Sequence, residues 1–317
     1  MHIRLGYVAI ALNLPNVTSS SHVTFTRYEK LISDEERINL LKKVTLSNLN
    51  DLYTILKYNI EHQIHFYRLT SRLVPLATHP RVKDWRYRTF FKKDFRRIGE
   101  LIKSHGMRVD THPDQFNVLN SAREEVVEAT IRDLLYHHAL FEDMDYPMGK
   151  MVLHIGSTQG GKEKAIERFI ENFNKAPKEI RDKLILENDD KSFTAKEVLS
   201  ICKAVKAPMV LDIHHHLCNN DGEELDLEEI FSTWEGTSLP PKIHISSPKD
   251  GPKDRRHADY INPMDFIHFI EKAKELNTDI DIMLESKKKD LSLFALVEDI
   301  KALRPEWTWV DQSTLEI

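Results

Sequence analysis

The sequence predicts a (β/α)8 barrel, a closed parallel sheet of eight strands with helices packed outside it. Short apolar segments rich in β-branched residues alternate with longer amphipathic segments, and eight such pairs follow one another along the 317 residues. Apolar runs of this length are typical of strands that are buried on both faces of a parallel sheet. An open, doubly wound sheet is the alternative fold. Because no Gly/Ser-rich linker or low-complexity tract interrupts the pattern, we expect residues 1–317 to form a single domain.

The strands and helices follow from this pattern in chain order. The predicted strands cover residues 3–7, 64–70, 107–113, 151–156, 184–189, 208–214, 241–247 and 280–286. The predicted helices cover residues 34–59, 92–104, 124–141, 162–173, 196–203, 225–231, 265–276 and 291–303. Ser33, Thr194 and Asn262 are expected N-caps, and Pro263 suits a first helical position. The acidic run 221–229 is expected to start an outer helix, where carboxylates complement the helix dipole.

Composition excludes several classes of protein. The chain has 45 basic and 50 acidic residues and a net charge of -5, so attraction to nucleic acid requires a local basic surface. No run of about 18 uncharged apolar residues is present, and we expect no membrane-spanning helix. The first residues lack a basic segment followed by a cleavage site, so no secretory signal is expected. Two cysteines exclude a disulfide framework and suit a reducing cytoplasm, where we expect the protein to be located.

The carboxyl ends of the strands carry the candidate chemistry, because these ends meet at one mouth of a barrel. The first two predicted strands end near Tyr7 and Arg68. The third to eighth end in imidazoles or carboxylates: His112, His154, Glu187, Asp212 with His215, His244 and Glu285. One buried His is more often a core residue than a ligand, but burying this whole set without a cation would be very costly. The sequence therefore predicts two or three divalent ions with Glu187 as a bridge, and the loop residues His79 and His257 are further candidates.

The residues alone leave the ligand after the sixth strand open. Three adjacent histidines are available: His214, His215 and His216. If the strand continues, Asp212 and His214 share a face of the sheet. A turn after Ile213 would present His215 instead.

The loops near the same mouth are basic and contain aromatic residues. Residues 68–88 hold six basic residues and one acidic residue, residues 246–260 hold four and three, and residues 286–290 hold three and one. Such a rim suits a polyanion, because Lys and Arg contact phosphates while aromatic rings stack on bases. The candidate stacking residues are Tyr7, Trp85, Tyr87 and Phe116. A solvated charged rim without a ligand is the alternative.

Nine short stretches occur in the order of a known family. They are RLGY, LVPLATHP, HPDQF, VLHIG, LEND, LDIHHH, PKIHISS, RRHADY and MLES, and they span residues 3–286. On these stretches the chain resembles the UV damage endonucleases, which are DNA-repair enzymes with a metal-dependent TIM barrel similar to endonuclease IV. The resemblance implies a nick immediately 5′ of cyclobutane pyrimidine dimers and 6-4 photoproducts, and of abasic sites in some members. It also implies UV-damaged double-stranded DNA as partner, action as a monomer, and Mn²⁺ as the expected ion with Zn²⁺, Mg²⁺ or Co²⁺ as alternatives.

The resemblance also implies roles for individual residues. The family's metal ligands fall on His79, His112, His154, Glu187, Asp212, His215, His244, His257 and Glu285, which favours His215 over His214. Lys242 matches a lysine that is carboxylated in the family, and we expect it to act in catalysis with Glu187 and Glu285. Lesion-probing and DNA-binding roles fall on Tyr7, Asn13, Arg68, Gln115 and Phe116. The family pattern has Tyr where Phe116 stands, so the stacking surface is kept and the hydroxyl is lost.

Three ions could be held by three sets of these residues. Asp212, His244 and Glu285 would hold one ion, His112 and His154 a second, and His215 with His257 a third, with Glu187 as the bridge. Two other functions remain open at this point. A sugar isomerase of the same barrel class is disfavoured by the basic rim and by the HPDQF stretch. A metal-stabilised DNA-binding module without activity is disfavoured because six ligands at open strand ends exceed what a structural site requires.

Overall fold

Eight parallel strands form a closed barrel in the computed structural model, which describes residues 1–220, 222 and 224–317. The strands are β1 His2–Val8, β2 Phe66–Leu69, β3 Arg108–Thr111, β4 Met151–His154, β5 Leu184–Glu187, β6 Met209–Asp212, β7 Lys242–Ile245 and β8 Ile280–Leu284. Each strand pairs in parallel with the next, and β8 pairs back with β1. The predicted (β/α)8 barrel is therefore confirmed, and the open sheet is excluded.

Helices connect the strands outside the barrel. They are α1 Phe25–Glu29, α2 Asp34–Glu61, α3 Tyr87–Phe90, α4 Lys92–Ser104, α5 Glu124–Asp143, α6 Lys162–Lys175, α7 Lys178–Arg181, α8 Ala195–Val205, α9 Ile213–Cys218, α10 Leu227–Ser232, α11 Pro263–Ala273 and α12 Lys289–Leu303. A 3-10 turn, Lys274–Leu276, continues α11. All eight predicted helices are present, whereas the short helices α1, α3, α7 and α9 are too brief to show a helical period in the sequence. Among the described residues, no helix has the length and apolar character needed to cross a bilayer.

The predicted helix caps are confirmed. The side chains of Ser33 and Thr194 each accept a hydrogen bond from the third amide of their helix, and the carboxylate of the glutamate at that position accepts a hydrogen bond from the backbone N–H of the cap residue. Asn262 accepts from the amide of Met264, with Pro263 at the first helical position. These caps satisfy amides that a helix cannot pair internally, so local sequence alone fixes where these helices begin.

The acidic run 221–229 begins its helix later than expected. Asp226 caps α10 by accepting a hydrogen bond from the amide of Glu229 at 2.9 Å, and the helix starts at Leu227 rather than at residue 225. Asp221 and Glu223 lie outside the described residues.

A C-terminal hairpin completes the amino-terminal end of the barrel. Its strands are β9 Thr308–Trp309 and β10 Thr314–Glu316, and β10 pairs antiparallel with the first half of β1. Pairing of β1 with β2 begins only at Gly6, opposite Phe66, so β10 covers an edge of β1 that would otherwise be unpaired. A side chain at Gly6 would collide with the backbone carbonyl of Phe66, so this close approach of the two strands requires glycine.

A buried layer of charged residues, which we call the ion-pair layer, crosses the barrel below the carboxyl ends of its strands. It comprises Arg4, Arg108, Asp110, Lys242 and Asp281. Asp281 accepts from Arg4 at 2.6 Å and from Arg108 at 2.8 Å. Asp110 lies 3.2 Å from Arg108 and 3.3 Å from the ammonium group of Lys242. Because these residues belong to β1, β3, β7 and β8, the layer joins four strands directly beneath the mouth.

Candidate metal centre

Six predicted ligand residues converge at the mouth of the barrel. They form two groups that share one carboxylate: His112, His154 and Glu187 in the first, and Glu187, Asp212, His244 and Glu285 in the second. Within each group, one ligand atom per residue lies within 4.8 Å of the ligand atom of every other member. Glu187 is therefore placed between two potential ion sites, as a bridging ligand would be.

Glu187 is the most connected side chain of this cluster. It ends β5 and is 1% exposed. Its Oε2 lies 3.0 Å from Nε2 of His112 and 3.4 Å from Nε2 of His154, while its Oε1 lies 2.7 Å from Nδ1 of His244. Burial would raise the pKa of this carboxyl, but the imidazoles, His244 first among them, hold it well below its usual range. Glu187 is therefore an anion surrounded by nitrogen atoms that can also ligate a metal.

Asp212 shows that this donor set fits a cation. Its Oδ1 accepts a hydrogen bond from the amide of His215 at 2.7 Å, whereas its Oδ2 is buried and has no hydrogen-bond partner among the described residues. Burial raises the pKa of Asp212, since the carboxylate is removed from water beside other acids. A buried carboxylate oxygen without a donor is costly unless a cation compensates it. Imidazoles and carboxylates at this spacing suit Zn²⁺, Mn²⁺ or Fe²⁺.

The end of β6 decides which of the adjacent histidines faces the cluster. The strand stops at Asp212 and α9 begins at Ile213, so the chain turns at once. Nδ1 of His215 then lies 3.6 Å from Oδ2 of Asp212 and 3.7 Å from Oε1 of Glu187. Burial opposes protonation of His215, but the surrounding carboxylates raise its pKa to about 9. The geometry favours the turn and His215.

The neighbouring histidines have other surroundings. Nδ1 of His214 lies 2.7 Å from the hydroxyl of Ser246, and its Nε2 lies 2.8 Å from the carbonyl of Asp254. His216 faces a separate cavity between α8 and α10. His257 approaches the cluster from its loop, with its ring centroid 6.1 Å from that of His215, although it belongs to neither group above. The pairing of His215 with His257 at a third ion stays a prediction.

His79 lies apart from this cluster. Its ring stacks on Phe25 with centroids 4.1 Å apart, and its Nδ1 accepts a hydrogen bond from the amide of Arg81 at 3.3 Å. Burial and the nearby Arg81 lower its pKa. Neither group found among the described residues includes His79, because the loop after β2 holds it against α1. The ligand role that the resemblance implied for His79 stays a prediction, and in this arrangement His79 lies outside both groups.

Arg68 contacts the cluster directly. Its guanidinium lies 2.5 Å from Oε1 of Glu285, which also lies 3.1 Å from Nδ1 of His244. Burial would raise the pKa of Glu285, but Arg68 and the imidazoles hold it below its usual range. Arg68 therefore keeps Glu285 ionised and fixes its position, a role that its placement at a strand end did not reveal.

Lys242 lies below the cluster rather than within it. Its ammonium group is fully buried, faces the ring of Phe66 at 5.3 Å and pairs with Asp110. Burial lowers the pKa of Lys242 to about 8, against the opposing effect of Asp110. Here the residue is the counter-ion of Asp110, and its carboxylation stays a prediction.

The loop after β3 presents two exposed side chains on a rigid turn. Phe116 is 76% exposed and Gln115 is also exposed. Asp114 accepts hydrogen bonds from the amides of Phe116 at 3.2 Å and Asn117 at 2.9 Å, and the Asn117 side chain also donates to Asp133 at 2.8 Å. Single exposed apolar residues are common on protein surfaces, so exposure alone does not assign a role to Phe116. The probing role of Gln115 and Phe116 stays a prediction.

The other aromatic candidates are buried. Trp85 and Tyr87 pack in an aromatic cluster, and Trp85 donates its indole N–H to the carbonyl of Pro75 at 3.0 Å. The expectation that these two rings stack on bases is wrong, because each residue is only 9% exposed. Tyr7 is fully buried and donates its hydroxyl to Asn59 at 2.6 Å, so contact with DNA would require it to move.

Asn13 has its amide engaged inside the protein. Its side chain donates to the hydroxyl of Tyr58 at 3.0 Å, and its backbone N–H donates to Asp290 at 3.1 Å. The DNA-binding role implied for Asn13 stays a prediction.

Asn188 is a positioning residue that sequence reasoning missed. Its side chain exchanges two hydrogen bonds of 2.9 Å with the backbone of Asp212, and its carbonyl lies 3.0 Å from Nδ1 of His215. It is fully buried directly after Glu187. A polar residue following a strand-end acid was the available signal, because a buried amide must find partners.

The fold and the site together define a (β/α)8 barrel protein with a candidate metal centre at the carboxyl mouth, beside an exposed aromatic loop. The sequence profile of the family described as UV-endonuclease UvdE matches residues 3–313. The chain belongs to this family, and membership supports a DNA-repair endonuclease that acts on DNA.

Individual relatives agree with this assignment. The UV DNA damage endonuclease of Halalkalibacterium halodurans is 40% identical over 320 residues, covering 100% of this chain and 99% of the relative. The enzyme of the same name from Bacillus cereus is 43% identical over 308 residues, covering 96% of each chain. The crystal structure of SacUVDE has a TM-score of 0.84 and 36% identity, covering 95% of this chain and 99% of that one.

More distant structures share the fold alone. Endonuclease IV from Thermus thermophilus has a TM-score of 0.53 at 17% identity, covering 80% of this chain and 94% of that one. A D-tagatose 3-epimerase-like protein has a TM-score of 0.54 at 17% identity, covering 78% and 90%. Because one fold serves both, the fold does not decide between nuclease and sugar epimerase.

Proposed function

We propose that this protein nicks double-stranded DNA immediately 5′ of UV photolesions by metal-assisted phosphodiester hydrolysis. The proposed substrates are cyclobutane pyrimidine dimers, 6-4 photoproducts and abasic sites. The observation that carries the proposal is the pair of ligand groups that share Glu187 at the barrel mouth. Family membership supplies the kind of substrate.

The side chains of the cluster would hold the ions. Asp212, His244 and Glu285 would hold one ion, His112 and His154 a second, and Glu187 would bridge them; His215 and His257 are the proposed ligands of a third. We propose Mn²⁺, which this mixture of carboxylates and imidazoles suits. Such ions, when bound, lower the pKa of water toward about 7 and neutralise charge on phosphate oxygens.

The protein's own groups prepare this centre. Arg68 holds Glu285 ionised, and Asn188 fixes both Asp212 and His215 through backbone contacts. Glu187 and Glu285 are the proposed catalytic carboxylates. Lys242 is the third catalytic residue implied by the resemblance. Its ammonium group donates to Asp110 in the ion-pair layer, so its effect on the metal centre would be transmitted through Asp110.

Lesion recognition is proposed for the loop after β3. Photolesions weaken stacking and pairing, so extruding the damaged nucleotides costs less than the usual few kcal/mol. Phe116 and Gln115 can then enter the duplex as a wedge and fill the gap. Selectivity would depend on how easily the DNA deforms rather than on the identity of a base.

The test is relaxation of a supercoiled plasmid, irradiated or not, with Mn²⁺ and with or without EDTA. We expect relaxation of the irradiated plasmid alone, and only without EDTA. Relaxation of both plasmids would contradict lesion specificity, and relaxation in EDTA would contradict metal dependence. Conversion of an aldose without any nicking would indicate the sugar isomerase.

We also propose that the chain works as one domain and as a monomer in the cytoplasm, which light scattering and fractionation would check.

A further inference from the structure

A second cavity opens at the mouth beside the candidate metal centre. It has a volume of about 330 Å³, and its lining includes five basic residues, one acid and one histidine: Arg68, Arg255, Arg256, Lys287, Lys289, Glu285 and His257. Glu285 belongs to the second ligand group and His257 is a proposed ligand of the third ion, so the cavity borders the cluster through two side chains. We call it the basic cavity.

The charges of the basic cavity do not cancel. Glu285 is neutralised by Arg68 at 2.5 Å, and Arg256 pairs outside the cavity with Asp250 and Asp254. Among the residues that the structure describes, Arg255 has one loose ionic contact, with Asp190 at 3.5 Å. Lys287 and Lys289 complete the lining, and within residues 1–220, 222 and 224–317 neither ammonium group has an ion pair or a hydrogen bond. The cavity therefore retains excess positive charge.

Lys289 is held in this position at a conformational cost. It is the half-buried first residue of α12, with a φ of 49° in the left-handed region. That region is unfavourable for residues other than glycine, and such strain concentrates at functional sites.

We infer that the basic cavity binds a phosphate of the DNA backbone adjacent to the scissile phosphate, and that Lys289 is its principal contact. The inference rests on the proposed function, because it takes the position of the scissile phosphate from the candidate metal centre. The cavity shares Glu285 with the centre and also borders His257. A strand whose scissile phosphate lies at the centre would therefore bring a neighbouring phosphate to this cationic recess. A phosphate there would fix the register of the strand without reading its bases.

The test uses binding in EDTA, so that cleavage does not contribute. Fluorescence anisotropy would measure the Kd of a duplex with one thymine dimer, in which each phosphate flanking the nick position is replaced in turn by an uncharged methylphosphonate. We expect one replacement to weaken wild-type binding about tenfold. Lys289→Gln should weaken binding to the unmodified duplex by a similar factor, and the Kd of this variant should not change further when that phosphate is replaced. For the variant, the slope of log affinity against log salt concentration should be shallower than the wild-type slope by about 1.

Lys288→Gln is the matched control, since Lys288 is adjacent in sequence but does not line the cavity. It should show the wild-type response to the methylphosphonate, and so should Lys289→Arg, which retains the charge. If Lys289→Gln does not fold, Arg255→Gln should show the same coupling with a smaller effect. Additive losses at every flanking phosphate would overturn the basic cavity as a phosphate site, even if the wild-type protein nicks irradiated plasmid. If the effects of Lys289→Gln and of one phosphate replacement are coupled, but the wild-type protein does not nick irradiated plasmid, the proposed function would be overturned while the basic cavity would remain a phosphate site.

Discussion

Two charged layers lie one above the other in the barrel, and they differ in how their charges are compensated. In the ion-pair layer, Asp110 and Asp281 each contact two cationic side chains of the protein at 2.6–3.3 Å. In the cluster above it, three carboxylates face imidazoles and only Arg68 as a permanent cation, and one oxygen of Asp212 has no donor among the described residues. Both carboxylates of the lower layer are compensated by cations of the protein, whereas the upper layer needs further positive charge.

The same strands carry residues that stabilise the barrel and residues that are proposed to bind ions. Asp110 precedes His112 by two residues in or just after β3, and Lys242 precedes His244 by two residues in β7. Side chains two apart on a strand share a face, so each of these two strands contributes residues to both layers. We infer that the ion-pair layer holds the strand ends in register and that the cluster above it binds the ions.

The largest expected effect is on the upper layer. Glu187→Gln removes the shared charge, so nicking of irradiated plasmid should fall by about 10³-fold or more. Metal content, measured by mass spectrometry after dialysis, should fall as well, while lesion binding stays measurable. Glu298→Gln on the exposed face of α12 is the control and should be inert. A fully active Glu187→Gln would remove the cluster from the mechanism.

The lower layer should respond in stability. Asp281→Asn leaves Arg4 and Arg108 without their shared carboxylate, and the free energy of unfolding should fall by about 3–5 kcal/mol in urea titrations. Asp279→Asn, at an exposed position just before the same strand, should cost less than about 1 kcal/mol. Equal losses of unfolding free energy in the two variants would show that the ion-pair layer stabilises the fold no more than an exposed carboxylate does.

Lys242 tests the boundary between the layers. The ion-pair layer has one more cation than carboxylates, so Lys242→Met should change the free energy of unfolding by only about 1–2 kcal/mol. If Lys242 also acts in catalysis, nicking should fall by about 10²-fold while metal content changes little. Unchanged nicking in a folded Lys242→Met would place the residue in the structural layer alone.

The smallest effect is expected outside both layers. Gln115→Ala should reduce the preference for irradiated over undamaged duplex about tenfold, because a wedge contact is lost while every ligand remains. Competition binding would measure that preference, with metal content as the internal control. Phe116→Tyr restores the family residue and should keep the preference. Equal preference in wild type and Gln115→Ala would exclude a probing role.

The features that recur at equivalent positions of the barrel, or that depend on local residues, were predictable from the sequence. The six ligand positions follow from one rule, that strand ends meet at the mouth, and His112, His154 and Glu187 come together as that rule requires. The caps at Ser33 and Thr194 depend only on local residues, and they too were predictable.

Features set by long-range packing were not predictable in this way. The place of His79 depends on how the loop after β2 crosses α1, and the burial of Trp85 and Tyr87 depends on contacts with distant helices. The strand pattern does not predict the ion-pair layer, because Arg108 and Asp110 stand in an otherwise apolar strand and their partners are distant in sequence. Charges inside such a strand indicate a buried partner, and that signal was available.

Anomalous diffraction from crystals soaked in Mn²⁺ tests the central claim most directly. The account predicts peaks within about 2.0–2.6 Å of the carboxylate and imidazole atoms of both groups, with Glu187 between two of the peaks. It predicts none in the ion-pair layer. Soaked crystals with no peak near Glu187, Asp212 and His244 would contradict the claim that this mouth is a metal centre.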